Sequence, residues 1–292
     1  MAETVDVSFV RGYSAEIMRR YAATEDKVRD SVTVKTNVVG KSYDWERLGS
    51  SDFGTITTRH QPVIVLAPVH SVRRVTFTDS GGSILLDRTD EPKMLIQPKN
   101  DYARNHAEAF KRLINDTVID AAVASATAVD GADATSSVAI GSGQQIASGS
   151  VGLTFEKVNQ AARILNTNNV PQENRTALVS PQAVEDLLAE AEVTSRDYTD
   201  MMRLKSGTMG SDTFMGFRWI MTTQLNISST TRTCLFYHKD AIGLAIPMEL
   251  EVFIDRRVDL ATHAWQATAI CSAGAVRLQE EGVIQCDITE AT

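Results

Sequence analysis

A chain of 292 residues, 43% hydrophobic, 23% charged and 6% aromatic, can bury one large core or two modest ones, and its composition is that of a folded protein. A formal net charge of −8 argues against a broad nucleic-acid-binding surface, which needs Lys and Arg in excess. No apolar run reaches membrane-spanning length, and MAETVDVSFV is not a secretory signal. Cys234, Cys271 and Cys286 are odd in number, far apart and set in apolar, strand-like runs, so they read as buried free thiols of a reducing compartment.

Residues 1–50 mix weak helical signal with extended segments. Phe9, Tyr13, Tyr21, Trp45 and Phe53 are large apolar side chains with no strong local element to bury them. Such a segment packs onto its own core or onto a neighbouring subunit, and the residues alone leave both open. From Thr55 to Asp90 the chain is rich in Val, Ile, Thr and Leu and reads as a β ribbon. Asp79-Ser80-Gly81-Gly82 is a turn signal between two strand runs, and Ala67-Pro68 is a second corner. A two-stranded ribbon is marginal alone, so it needs a surface beneath it, from its own chain or another copy.

Asp101 to Ala128 predicts one long helix of about 40 Å at 1.5 Å per residue. Tyr102, His106, Phe110, Leu113, Ile114, Thr117, Val118, Ala121, Ala122 and Ser125 form its apolar face, and Asp130-Gly131 ends it. Val129 to Gly152, dominated by Ala, Gly, Ser and Thr, reads as a flexible loop. Its Gly141-Ser142-Gly143 follows a helix and lacks a P-loop Lys, so no phosphate site is read there.

Leu153 to Pro181 predicts a helix capped by Thr154, a strand at Arg175–Val179, and a second helix started by Ser180-Pro181, with Val184, Leu187, Leu188 and Ala191 inside. Phe214–Thr223, Thr233–Tyr237, Glu249–Arg257, His263–Val276 and Gly282–Ile288 predict strands. The last three are expected to pack under the long helix. Phe110, Leu113, Ile114, Val118, Leu187, Trp219 and Trp265 are the expected structural core.

No catalytic set emerges. His60, His70, His106, His238 and His263 show no metal-ligand spacing, and HExxH, GxSxG and GxGxxG are absent. Asp87 and Asp90 fit a ribbon-closing turn better than a carboxylate pair. Arg73-Arg74 and the cluster of Asp255, Arg256, Arg257 and Asp259 read either as solvated strand ends or as intersubunit ion pairs. No enzymatic activity, cofactor or metal is expected.

The segment order resembles the major capsid (coat) proteins of tailed bacteriophages, whose fold is named after the phage Hong Kong ninety-seven. ILLDRTDEPKMLIQPKNDYARNHAEAFKRLINDTVIDAA is similar to that family's passage from ribbon into spine helix. LTFEKVNQAARILNTNNVPQENRTALVSPQAVEDLL resembles its axial helix–strand–helix, and FMGFRWIMTTQL, FYHKDAIGLA and GAVRLQEEGVIQCDI its later segments. The resemblance spans nearly the whole chain and rests on segment order and hydrophobic type.

It implies an α+β fold in four parts. Residues 1–50 are an N-terminal arm and 51–92 an extended β loop lying over the adjacent subunit. Residues 93–150 and 246–292 form a peripheral domain around the spine helix 101–128, over a β-sheet, and 151–245 form an axial α/β domain. It implies a virion protein, assembled in the host bacterial cytoplasm, that self-assembles through pentamers and hexamers into an icosahedral shell. The shell would enclose double-stranded DNA without sequence-specific binding and without a membrane. Phe9, Tyr13, Tyr21, Trp45, Phe53, Arg73, Arg74, Asp87, Asp90, Asp255, Arg256 and Arg257 are the candidate intersubunit residues.

The chain starts almost at the arm, which under this resemblance implies a separate scaffolding protein, or none; a portal, and optionally a decoration protein, complete the partners. No Lys lies between Thr55 and Asp90, so the loop-to-neighbour Lys crosslink of some family members is not expected. The rival readings are another virion structural or adhesive module forming a small oligomer, and a hydrolase or transferase with a pocket around His106 or Asp90. Deleting residues 60–85 is expected to leave a folded core without shells, and Phe110→Asp to abolish soluble folding.

Overall fold

The computed structural model describes residues 27–88, 99–130, 133–189 and 213–290. In chain order these form β1 (Thr33–Thr36), β2 (Ser42–Leu48), β3 (His70–Thr76), β4 (Thr78–Leu86), α1 (Lys99–Val123), β5 (Ala126–Val129), β6 (Thr135–Val138) and β7 (Gln145–Ile146). There follow α2 (Phe155–Thr167), β8 (Arg175–Val179), α3 (Pro181–Ala189), β9 (Thr213–Phe214), β10 (Phe217–Met221), β11 (Ile227–Ser228), β12 (Thr231–His238), β13 (Ile242–Arg256), β14 (Trp265–Arg277) and β15 (Val283–Thr289).

These strands make three sheets. The first runs β1-β13-β14-β4, the second β7-β15-β12-β8-β10-β9 with β11 on β12, and the third β2-β3-β5-β6. In the second, all five residues of β8 are buried, as a central strand covered on both faces demands. Thr154 caps α2 by accepting from Lys157 N at 3.3 Å, and Ser180 caps α3 by accepting from Ala183 N at 3.0 Å, as the sequence predicted. Val158, Ala161, Leu165, Ala183 and Leu187 turn inward from these helices onto Leu178, Trp219 and Phe236 in one continuous core.

The long helix differs from expectation in face and in length. Its fully buried side chains are Ile114, Asn115, Val118, Ile119 and Ala122, so the inner stripe is rotated by about one position from the predicted one. Leu113 and Phe110 are only partly buried, and Trp265, assigned to the core, is likewise partly buried. Asn115 is tolerated inside because its Nδ2 donates to Gln224 Oε1 at 3.0 Å.

The helix stops at Val123 instead of Ala128, because Thr127 and Val129 are drawn into a strand that pairs Arg73 with Ala128 and Val72 with Val129. Asp130, read as a helix stop, instead turns β5 into β6, its Oδ1 accepting from Ala134 N at 2.9 Å. The helix end carries no basic residue of its own. Its carbonyls are capped from afar: the buried Arg277 guanidinium donates to Ala122 O (3.0 Å), Ala124 O (2.7 Å) and Val138 O of β6 (2.8 Å). Burial pushes the Arg277 pKa down from the ordinary arginine value.

Other expectations are corrected. Asp79–Gly82 is no turn: it lies inside the nine-residue β4, paired with β14 from Ala269 to Ser272. Gly81 is there for close approach, since a Cβ would meet Ala269 O at 2.8 Å. The sequence left the distal corner open; the chain turns at Thr58–Gln61, where Gln61 N donates to Thr58 O. Residues 129–152 are no loose loop but hold β6 and β7. Phe214–Thr223 is not one strand, because Met215 (φ 52°) and Gly216 (φ 77°) make a two-residue hairpin turn. β13 and β14 pack under α1 as expected. By contrast, β15 pairs with β12 and β7, so residues grouped by sequence with the spine helix belong by hydrogen bonding to the α/β unit's sheet.

Two outcomes follow. Arg277→Met should cost roughly 2–5 kcal/mol in urea unfolding of the unassembled chain, because it strands three inward carbonyls. Ile114→Asp should abolish soluble expression, whereas Phe110→Asp, at a partly covered site, should be milder on the same solubility assay.

Candidate assembly interface

Ser42–Leu48 and His70–Thr76 form an antiparallel hairpin whose distal part, residues 49–69, is largely exposed. Phe53 is 96% exposed, and Ile56, Val63, Val65 and Val69 are exposed with it. Residues 51–69 form no strand, although QPVIVLAP is β-prone. None of these large apolar side chains is covered by the described residues, and an exposed apolar run of this kind is a candidate contact surface.

The base of this hairpin is held firmly. Tyr43 and Trp45, rings edge to face at 5.1 Å, pack with Phe77 on Val38, Val75, Ala126, Ala245, Val276 and Leu278. Trp45 therefore packs on its own chain, crowding Gly243, where a Cβ would sit 3.0 Å from its ring. Glu280 receives Arg73 (2.9 Å) and Arg47 (3.2 Å), one on each hairpin strand. Arg74 grips Asp44 with two parallel bonds of 2.7 Å and reaches Asp133 of the β5–β6 turn, also at 2.7 Å. Burial pushes the Glu280 carboxyl up, but a backbone N–H and Arg73 outweigh it, and the group sits below the ordinary glutamate value. The Arg74 bond holds Asp44 below its ordinary value.

The remaining sequence candidates are scattered. Asp87 accepts from Thr262 Oγ1 at 2.9 Å. Arg256 lies over the Trp265 ring at 4.5 Å, Arg257 closes on Asp259, and Asp255 is exposed. Phe9, Tyr13, Tyr21 and Asp90 lie outside the described residues. Sequence reading missed Arg47, Asp44 and Glu280, because ion pairs between positions 30 and 233 apart leave no local signature.

Among the described residues no cluster of three or more His, Cys, Asp or Glu is placed to hold a metal, and no described helix is long and apolar enough to cross a membrane. The three cysteines are free and buried; burial pushes the Cys286 thiol up to about 12.

The sequence model of a phage capsid protein family matches residues 5–290. The chain belongs to that phage capsid protein family. The fold of this capsid protein is similar to the capsid structure of Cyanophage P-SCSP1u (TM-score 0.74, 15% identity, covering 100% of this chain and 96% of that one). It is similar also to the Cyanophage Pam1 capsid asymmetric unit (0.73, 13%, 100% and 100%) and to the capsid of Ralstonia phage GP4 (0.72, 10%, 100% and 98%). A search of the curated proteins finds no match.

The anchorage of the capsid protein's hairpin should weaken in acid. Both carboxyls are depressed in the folded state, so their stabilisation is present above the ordinary carboxylate range of about 4 and is lost as pH falls through the depressed values. Amide protection factors at Val72 and Arg74 should hold steady between about pH 5 and 8 and fall below about pH 4. Glu280→Gln should lower them already at neutral pH.

Proposed function

We propose that the chain is the major capsid protein of a tailed phage, closing through pentamers and hexamers into an icosahedral shell around double-stranded DNA. The observation that carries this is the loop 49–69: an apolar segment on a firmly held base, uncovered by the described residues, in a protein of the capsid family. The β2–β3 hairpin serves as the extended loop, and α1 with β13 and β14 as the peripheral body. The α2–β8–α3 unit with its sheet is the axial part that meets its copies around the ring centre. The net charge of −8 suits a container that must not adhere to its DNA.

A scaffolding protein, a portal and an optional decoration protein are the further partners in this reading, with assembly in the bacterial cytoplasm. It assigns no catalytic role to any residue. His106 is partly buried beside Gly82 on β4.

Electron microscopy of the purified, expressed chain tests this: closed shells are expected, and a persistent small oligomer would favour an adhesive module. Because β3 and β4 are ladder strands of two sheets, deleting 60–85 would unravel the body itself. The informative variant replaces residues 50–68 with a short Gly-Ser link; it should stay folded by circular dichroism and form no shells.

A further inference from the structure

Cys234 and Cys286 stand directly opposite each other in the antiparallel β12–β15 pair. Opposed residues on neighbouring strands point to the same face of a sheet, so the two thiols meet on one side. Thr233 N donates to Asn226 O and Thr289 N to Val151 O, both away from the β12–β15 ladder. By alternation Cys234 and Cys286 are then a hydrogen-bonded pair, whose Cα atoms lie about 5.5 Å apart. That spacing falls inside the range a disulfide spans, roughly 4.4–6.8 Å. Both thiols are free and fully buried. Burial, and then the nearby Cys286, push the Cys234 thiol up. Cys271, the third thiol, belongs to the first sheet.

A cation is built in beside them. Lys157, buried on α2, donates from Nζ to Ser148 O (2.8 Å), Val151 O (3.2 Å), Gly152 O (3.1 Å) and, on β15, Asp287 O (3.1 Å). Those carbonyls fix the ammonium in place, and Asp287 adjoins Cys286. Burial raises the Cys286 thiol, and the Lys157 charge works against it. A fixed positive charge of this kind favours a thiolate as it forms.

We propose that Cys234 and Cys286 are a redox pair, closed by a peroxide into an intrachain disulfide across the interior of the second sheet. The Cys286 thiolate attacks one peroxide oxygen and becomes a sulfenic acid, and the released hydroxide takes up the thiol's proton as water. The Cys234 sulfur then displaces the sulfenic hydroxyl, which leaves with the Cys234 proton as a second water. Two thiols thus give two electrons and two protons to one peroxide. β12 runs into the junction at Ala241 and β15 out of the junction at Leu278, where Leu278 N donates to Ala241 O. A bond between the two strands therefore fixes the second sheet where it joins the rest of the chain. The pairing stands apart from the shell reading. Its consequence rests on that reading: a shell assembled in a reducing cytosol stiffens once outside it.

Peptide mapping of the full chain tests it, because the three thiols fall on separate tryptic peptides, 233–239, 258–277 and 278–292. The folded protein is treated with hydrogen peroxide, then unfolded in N-ethylmaleimide and digested. A crosslink between 233–239 and 278–292 is expected, with Cys271 alkylated and the bond reopened by dithiothreitol. Its rate should rise roughly tenfold per pH unit from about 7 to 9, as the thiolate fraction does. The oxidised chain should melt about 5 °C or more above the reduced one, and Cys234→Ala should abolish that gain. Full alkylation of both thiols after peroxide, or bonds only to Cys271 or between chains, would overturn the pair. A crosslinked chain whose shells withstand heat no better than reduced shells would overturn the stiffening alone. A chain that crosslinks yet forms no shell would support the pair and remove the shell reading.

Discussion

One buried guanidinium fixes where the parts of this chain meet. Arg277 ends β14, caps the last carbonyls of α1 and holds Val138 of β6, so a strand of the first sheet, the long helix and the third sheet share one cation. The next residues carry the connection onward. Leu278 N donates to Ala241 O at 2.7 Å, Glu280 binds both hairpin strands, and Val283 opens β15 in the second sheet. Seven residues thus tie three sheets together. A charge in so dry a place is stable only while every neighbouring carbonyl stays where it is, which makes the junction stiff.

That stiffness explains the contrast along the hairpin. Its base is fixed by two ion-pair networks and a small aromatic core, whereas residues 51–69 have no ladder and little cover. The base sets a direction; the distal part offers apolar surface and open backbone. If a partner covers four of its large side chains at about 1.5–3 kcal/mol each, one contact yields roughly 6–12 kcal/mol before the cost of association is subtracted. A contact of that size is weak alone and decisive when repeated.

Local chemistry made much of this legible in the sequence. The caps at Thr154 and Ser180, the buried run of β8, the late strands and the existence of a long helix all rest on short-range patterns, and the structure has each of them. Tertiary partners decided the rest. Ala126–Val129 could have continued a helix made of small residues, but β3 claimed it. Gly81-Gly82 carries the composition of a turn and serves a close strand crossing. Arg73 and Arg74 read either as a solvated strand end or as intersubunit ion pairs; their partners Glu280 and Asp44, on the same chain, could not be named, because nothing in the sequence marks residues that meet only after folding.

The family resemblance supplied what periodicity could not, namely that the apolar stretch after Leu48 is surface and not core. From pattern alone, QPVIVLAP is as hydrophobic as β8, and both would be buried strands. What separates them physically is their flanks. RTALV is bracketed by a turn and a helix cap that return the chain to the body, while QPVIVLAP is bracketed by prolines at the far end of a hairpin whose two strands are locked at the base. A segment that can fold back becomes core. One held out at the end of a stiff support stays in water until another molecule covers it.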